Sequence, residues 1–215
     1  MAYAAHAGTK TQTRRIIKPQ PIIDNDSGFV FDGKHRESYR NDLFHADWRE
    51  KFIKDWCPYG QVGDRLWVRE SLFWSEHEDG WCYQADNSQL MLEQLTARIL
   101  LTPKPCIPSI HMPREASRTQ LEIVSIRIER LHEISLKDAA REGMRFDYHS
   151  CRWYDYKNQH WGNDIYSDDP AEPPFTALHS FKTLWDHING ACAWGQNPWV
   201  WAVEFKKIEE EEASE

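Results

Sequence analysis

The residues Gly8-Thr9-Lys10-Thr11-Gln12-Thr13-Arg14-Arg15 bring a glycine, a primary amine, several hydroxyls and two guanidiniums together immediately ahead of the apolar pair Ile16-Ile17. Glycine reaches backbone angles that other residues resist, so the pattern reads as a polar turn feeding a strand. Side chains of an extended chain alternate between faces. Thr13, Arg15 and Ile17 are therefore expected on one face and Arg14 and Ile16 on the other, with Lys10 on the turn leading in. An amine, a hydroxyl and a guanidinium converging at a strand end could hold an anion or a polarised carbonyl. The same stretch also reads as a basic arm facing water, so the choice must come from elsewhere in the chain.

A second candidate is a carboxylate. Ser135-Leu136-Lys137-Asp138 sets a hydroxyl three residues ahead of an acid, close to a capping box with Asp in place of Glu or Gln, and so marks a helix start. Gly143 is expected to close that helix. Glu142 then lies in the last turn, where the helix dipole disfavours an anion by about 0.3–1 kcal/mol. A carboxylate in that position needs a cationic partner or a raised pKa; the alternative is an exposed glutamate that tolerates a small penalty.

The composition limits what these groups can serve. The chain has 215 residues and a net charge of −8, with Glu209, Glu210, Glu211, Glu212 and Glu215 supplying five of the negatives. Overall acidity argues against coating duplex DNA, which needs a broad cationic footprint. Yet residues 1 to 23 carry Lys10, Arg14, Arg15 and Lys18 with no acid among them, a local asymmetry that suits a small anionic or nucleotide ligand. Five cysteines without a C-x-x-C indicate reduced thiols rather than a disulfide framework or zinc knuckle. Ten histidines show neither H-E-x-x-H nor the zinc-deaminase pattern, so no metal and no cofactor are expected. No apolar run reaches the roughly 18 residues of a membrane span, and the N-terminus is too short for a signal core. The expectation is a soluble, cytoplasmic protein with no membrane partner.

The elements that must position the candidates can be read in order. Lys18-Pro19-Gln20-Pro21 ends regular structure after Ile17. Residues 22 to 55 are polar and read as an insertion, with a turn signal at Asp24-Asn25-Asp26-Ser27-Gly28 and one short helix over 43–53. A turn at Cys57-Pro58-Tyr59-Gly60 leads to a strand over 65–74, with a partner at 81–85. Leu90, Met91, Leu95 and Ile99 recur at helical spacing over 89–100. Within 117–131, Leu121 and Ile123 set one alternation while Val124, Ile126 and Ile128 set the opposite one. A one-residue phase slip is what a β-bulge produces, and bent strands suit a small closed or half-closed barrel. Residues 145 to 175 show no clear periodicity and read as a second insertion. Leu178, Phe181, Leu184, Trp185 and Ile188 mark a helix closed by Asn189-Gly190, and Trp199, Trp201, Val203 and Phe205 alternate in a final strand. The expected organisation is one α+β domain over 1–208 with two loop-rich insertions, and a disordered acidic tail over 209–215.

These residues resemble the ASCH family, whose fold is a small PUA-like mixed β-barrel with flanking helices. The family's G-x-K-x-x-T-x-R motif is filled at all its fixed positions by Gly8, Lys10, Thr13 and Arg15. Further blocks are similar to the longer ASCH proteins of phages and prophages. They are Thr13-Arg14-Arg15 with Lys18-Pro19-Gln20-Pro21, Cys57-Pro58-Tyr59-Gly60, Gly63-Asp64-Arg65-Leu66-Trp67-Val68-Arg69-Glu70, Pro108-Ser109-Ile110-His111-Met112-Pro113-Arg114, residues 139–143, and Asn197-Pro198-Trp199-Val200-Trp201. Two features depart from the pattern. Only residues 1 to 7 stand where the family has a first strand and helix, and Glu115 stands where similar phage proteins have an aromatic.

The resemblance implies binding of RNA or of a modified nucleoside or nucleotide in a cleft built from the motif and Glu142; with the reading of the residues themselves, the ligand-binding candidates are Gly8, Arg14, Arg15 and Trp67. It also implies an alternative, amidohydrolase removal of the acyl group from 4-acetylcytidine-like nucleosides, with Lys10, Thr13 and Glu142 as catalytic residues. In that reaction a neutral Lys10 activates Thr13 or a water, Arg15 holds the oxyanion and Glu142 passes a proton to the leaving amine. Burial and the neighbouring Arg15 would favour the neutral amine. Trp67 or Trp199 would be stacking surfaces in a purely binding site. A third class is a non-catalytic phage interaction protein whose aromatic 145–175 segment forms a partner surface.

Overall fold

The computed structural model describes residues 2–24, 28–30, 45–86, 88–89, 106–162 and 175–208. In chain order its elements are α1 (Ala2–His6), β1 (Gln12–Ile16), β2 (Ile22–Asp24), β3 (Gly28–Val30), α2 (His45–Trp56), β4 (Arg65–Trp67), β5 (Leu72–Ser75), β6 (Gly80–Tyr83) and β7 (Cys106–Ile107). They continue with β8 (Gln120–Arg130), α3 (Leu136–Arg141), β9 (Phe146–Asp147), β10 (Arg152–Asp155), β11 (His160–Trp161), α4 (Ala177–Asn189) and β12 (Trp199–Lys207). Helices and antiparallel sheets are mixed, an α+β arrangement. Its largest sheet is a curled half-barrel in the order β1-β12-β8-β4.

The apolar alternation of β12 explains why it is an inner strand of that sheet. Trp199, Trp201 and Val203 pack on one face against Ile17, Phe52, Ile123, Ile126 and Ile128. Val200 packs on the other face against Leu131 and the α4 residues Phe181, Leu184 and Trp185. Each fully buried side chain of this size contributes about 1.5–3 kcal/mol, so β12 is fixed between two cores. The polar β1 is registered along it, from Gln12 opposite Glu204 to Ile16 opposite Val200.

The phase slip in β8 is a bulge. Glu204 pairs with Ser125 and Phe205 with Ile123, which leaves Val124 as the extra residue, 41% exposed. Leu121, Ile123, Ile126 and Ile128 are buried on either side of it. Val124 therefore does not share the inward face with Ile126 and Ile128, as simple alternation predicts.

Three expectations need correction. The strand over 65–74 is broken into β4, which pairs with β8, and β5, which pairs with β6 and β7. The chain changes sheets at 68–71, where the Val68 N–H donates to the Thr119 carbonyl and the Glu70 carboxylate is buried on Arg118. Part of the segment over 145–175 is not loop-rich. It forms the sheet β11-β10-β9, in which Phe146 packs on Trp153 and Tyr154 on Trp161, and it is tied to α4 by Ser180 Oγ donating to the Tyr154 carbonyl. The polar stretch over 22–55 contains the β2–β3 hairpin and α2, a longer helix than the one predicted over 43–53. Of the helix predicted over 89–100 only Gln89 is described, in a bridge with Cys82; residues 90–100 and the acidic tail over 209–215 lie outside the described residues, as do 25–27, 31–44 and 163–174 within the two insertions.

Candidate functional site

The motif turn is built by α1. The chain leaves that helix through Gly8 at φ +73°, a left-handed conformation that favours glycine. The Lys10 N–H then donates to the Ala4 carbonyl and the Thr11 N–H to the Arg141 carbonyl at the end of α3, each at 2.9 Å. α3 begins as its sequence predicts, with the Ser135 hydroxyl accepting from the Asp138 N–H at 3.1 Å. It ends with Glu142 as C-cap and Gly143 at φ +77°. A Cβ on residue 143 would stand 2.7 Å from Lys10 Cβ, so glycine is required for the two segments to pack.

That packing brings the lysine and the glutamate together. The Lys10 ammonium donates to the Glu142 carbonyl at 2.7 Å and to its carboxylate at 2.9 Å. A cation capping the helix end complements the dipole, and the carboxylate disfavoured there gains its partner from the same ammonium. Arg14 supplies a second: its guanidinium donates to Glu142 at 3.1 Å, to the Gln12 amide oxygen at 2.7 Å and to Glu129 at 2.6 and 2.9 Å. Asp138 stands 3.6 Å from it. Arg127 extends the network to Glu204, Glu129 and Asp138. Burial is the largest influence on Lys10 and lowers its pKa; Glu142 opposes the shift, and Arg15 and Arg14 reinforce it.

The alternation expected along β1 holds, but the groups divide differently from the proposed convergence. Arg14 and Ile16 face the α3–α4 side with Lys10 and Glu142, while Thr13 and Arg15 stand opposite Val203 and Trp201 on the other face. Both sets nevertheless border one cavity of about 500 Å³. This is possible because β1 lies at the edge of its sheet, so the space beyond that edge is accessible from both faces.

Lys10, Thr13, Arg14, Arg15 and Glu142 line the cavity on the β1 side. Phe181, Leu184, Trp185, Ile188 and Asn189 line it from α4, and Ile16, Lys18 and Tyr59 complete it. Arg14 is 2% exposed and fully engaged, whereas Arg15 is exposed and, like Lys18, makes no ion pair among the described residues. Among the described residues the Thr13 hydroxyl has no hydrogen-bond partner, and the Lys10 ammonium donates only to Glu142. The Trp185 indole N–H is buried without a partner among the described residues.

Several residues expected at the ligand do not line this cavity. Trp67 lies on β4, at the opposite edge of the sheet, under the Arg69 guanidinium at 4.9 Å. Trp199 is buried in the core with Arg130 over its ring at 4.5 Å. Gly8 shapes the turn and does not line the cavity. Glu115 is exposed and lies outside the lining. The sequence reading missed the ion-pair partners Glu129 and Asp138, and treated the α4 residues as core alone. Their helical spacing does identify an apolar stripe, but not that one border of it lines a cavity.

No protein-family model, curated protein or solved structure matches the chain. Among the described residues no group of His, Cys, Asp and Glu could hold a metal ion, and no helix is long and apolar enough to cross a membrane.

Proposed function

We propose that this chain binds RNA or a modified nucleotide, as an ASCH-type protein with a PUA-like barrel of the phage and prophage kind, and that the β1–α4 cavity is where the ligand lies. The observation that carries this reading is the composition of the lining. One side is aromatic and aliphatic, from Phe181, Leu184 and Trp185, and the same cavity holds Arg15 and Lys18, cations that no acid among the described residues neutralises. A flat apolar surface beside unneutralised positive charge suits a base attached to a phosphate. The test is RNA retention on a filter over a range of salt concentrations. Retention should fall with salt, and Arg15→Ala should weaken it and reduce the salt slope by about one. Retention that ignores both salt and Arg15 refutes the proposal.

A second reading, hydrolysis of 4-acetylcytidine-like amides, is favoured by one observation: Lys10, Thr13 and Glu142 line the same cavity, and the Lys10 amine is pushed toward its neutral form. To act as base, Lys10 must release the Glu142 carboxylate and turn to Thr13 or a water. Incubation with 4-acetylcytidine, followed by ultraviolet absorbance, decides it. No spectral change removes the hydrolase reading, and activity surviving Lys10→Ala contradicts these roles.

A further inference from the structure

A second recess of about 380 Å³ adjoins the candidate cavity. The two share Ile16, Lys18 and Tyr59 as lining residues. Beyond that shared border the second recess is formed by Pro19, Trp56 and Pro58, with Trp201 also in its lining.

The helix that carries its indole is anchored to the sheet. Phe52, fully buried, stacks on Trp201 with ring centroids 5.4 Å apart, and anchors α2 to the sheet. Trp56 follows four residues later on the same helical face and is 37% exposed. Tyr59 comes from the turn that follows. An apolar recess with a partly exposed indole on a packed helix can accept a planar ring by stacking.

The shared border carries Lys18, and Arg15 lines the first cavity beside it; among the described residues neither is paired with an acid. Two ring-accepting recesses that meet at an unneutralised cation match the repeat of a single-stranded nucleic acid, base, phosphate, base. An apolar peptide would leave that cation without a counter-charge.

We propose that the second recess seats the base of an adjoining nucleotide, so that the ligand is a two-nucleotide step of a single strand with its linking phosphate at Lys18, rather than a free nucleoside. This rests on the nucleotide-binding reading of the first cavity. The two can fail separately.

The experiment compares cytidine monophosphate with the ribodinucleotide cytidylyl-uridine, by calorimetric titration of the whole chain. The dinucleotide should bind about tenfold more tightly, since stacking of one further base on an aromatic ring is worth about that much or more. Trp56→Ala should abolish this advantage and leave the affinity for the mononucleotide as it was, while Trp56→Phe keeps most of it. Lys18→Ala, which tests the phosphate seat without touching the aromatic ring, should weaken the dinucleotide more than the mononucleotide. A dinucleotide that binds no better than the mononucleotide, or a Trp56→Ala protein that keeps the full advantage, overturns the second seat while mononucleotide binding leaves the first reading standing. Failure of both probes to bind overturns both.

Discussion

Lys10 and Glu142, separated by 132 positions, are joined through one ammonium that donates to both the carbonyl and the carboxylate of the same residue. Each group answers a need of the other. The helix end requires a donor for its free carbonyl, and the glutamate requires a cation to offset the unfavourable dipole.

Because both side chains are buried, removing one leaves the other exposed to the full desolvation cost. Lys10→Met is expected to destabilise the protein by about 3 kcal/mol, the low end for a broken buried pair, since Arg14 still reaches Glu142. Lys10→Met combined with Glu142→Leu should cost less than the sum of the two single changes, with a coupling of about 0.5–3 kcal/mol in urea unfolding. Simple additivity would contradict a direct interaction.

Gly8 and Gly143 provide a matched comparison. Both have positive φ, +73° and +77°, but a Cβ at Gly8 meets nothing within 4 Å, whereas one at Gly143 would stand 2.7 Å from Lys10 Cβ and 3.1 Å from Ala4 Cβ. Gly8→Ala should therefore cost only the backbone penalty of about 1 kcal/mol. Gly143→Ala should add an overpacking cost of about 1–3 kcal/mol. Equal thermal destabilisation by the two substitutions would show that α1 and the end of α3 do not pack as closely as described.

What could be read in advance follows from how local each signal is. The bulge at Val124 was legible because a phase slip is written in consecutive residues. Glu142 was legible because Gly143 locates the helix end, and the dipole then marks a carboxylate there as anomalous. The surroundings of Arg14 were not, since Glu129 comes from β8 and Asp138 and Glu142 from α3 and its C-cap, and none is near it in sequence. The break between β4 and β5 was hidden by uninterrupted β-forming residues. The break coincides with the pairing of Glu70 with Arg118, 48 positions away. β9 and β11 are two residues long, too short for alternation to register.

The Glu70–Arg118–Asp86 network predicts an acid-side signature. Burial raises the Asp86 pKa, but hydrogen bonds from Arg118 and Ser88 outweigh this and hold it at about 2, below the ordinary value of 3.8. A carboxylate depressed in the folded state contributes stability above its unfolded pKa and loses it as pH falls through the folded one. Stability should therefore drop between pH 3.8 and about 2, and Asp86→Asn should flatten that part of the profile while lowering stability at neutral pH. An unchanged acid profile, measured by urea unfolding at successive pH values, would exclude the contribution.

The adjacent arginines of the motif should separate stability from binding. Arg14 is enclosed by Gln12, Glu129 and Glu142, so Arg14→Ala leaves the buried Glu142 and the partly buried Glu129 each short of one partner and should cost about 3–5 kcal/mol. Arg14→Lys should restore only part of this, because a single ammonium cannot fork among those acceptors as a guanidinium does. Arg15, exposed and lining the cavity, makes no ion pair among the described residues, so Arg15→Ala should stay within about 0.5 kcal/mol of the wild type in urea unfolding. Its effect should appear in RNA affinity. A stable Arg14→Ala protein, or an Arg15→Ala protein that unfolds easily yet binds RNA as before, would reverse the roles assigned to the pair.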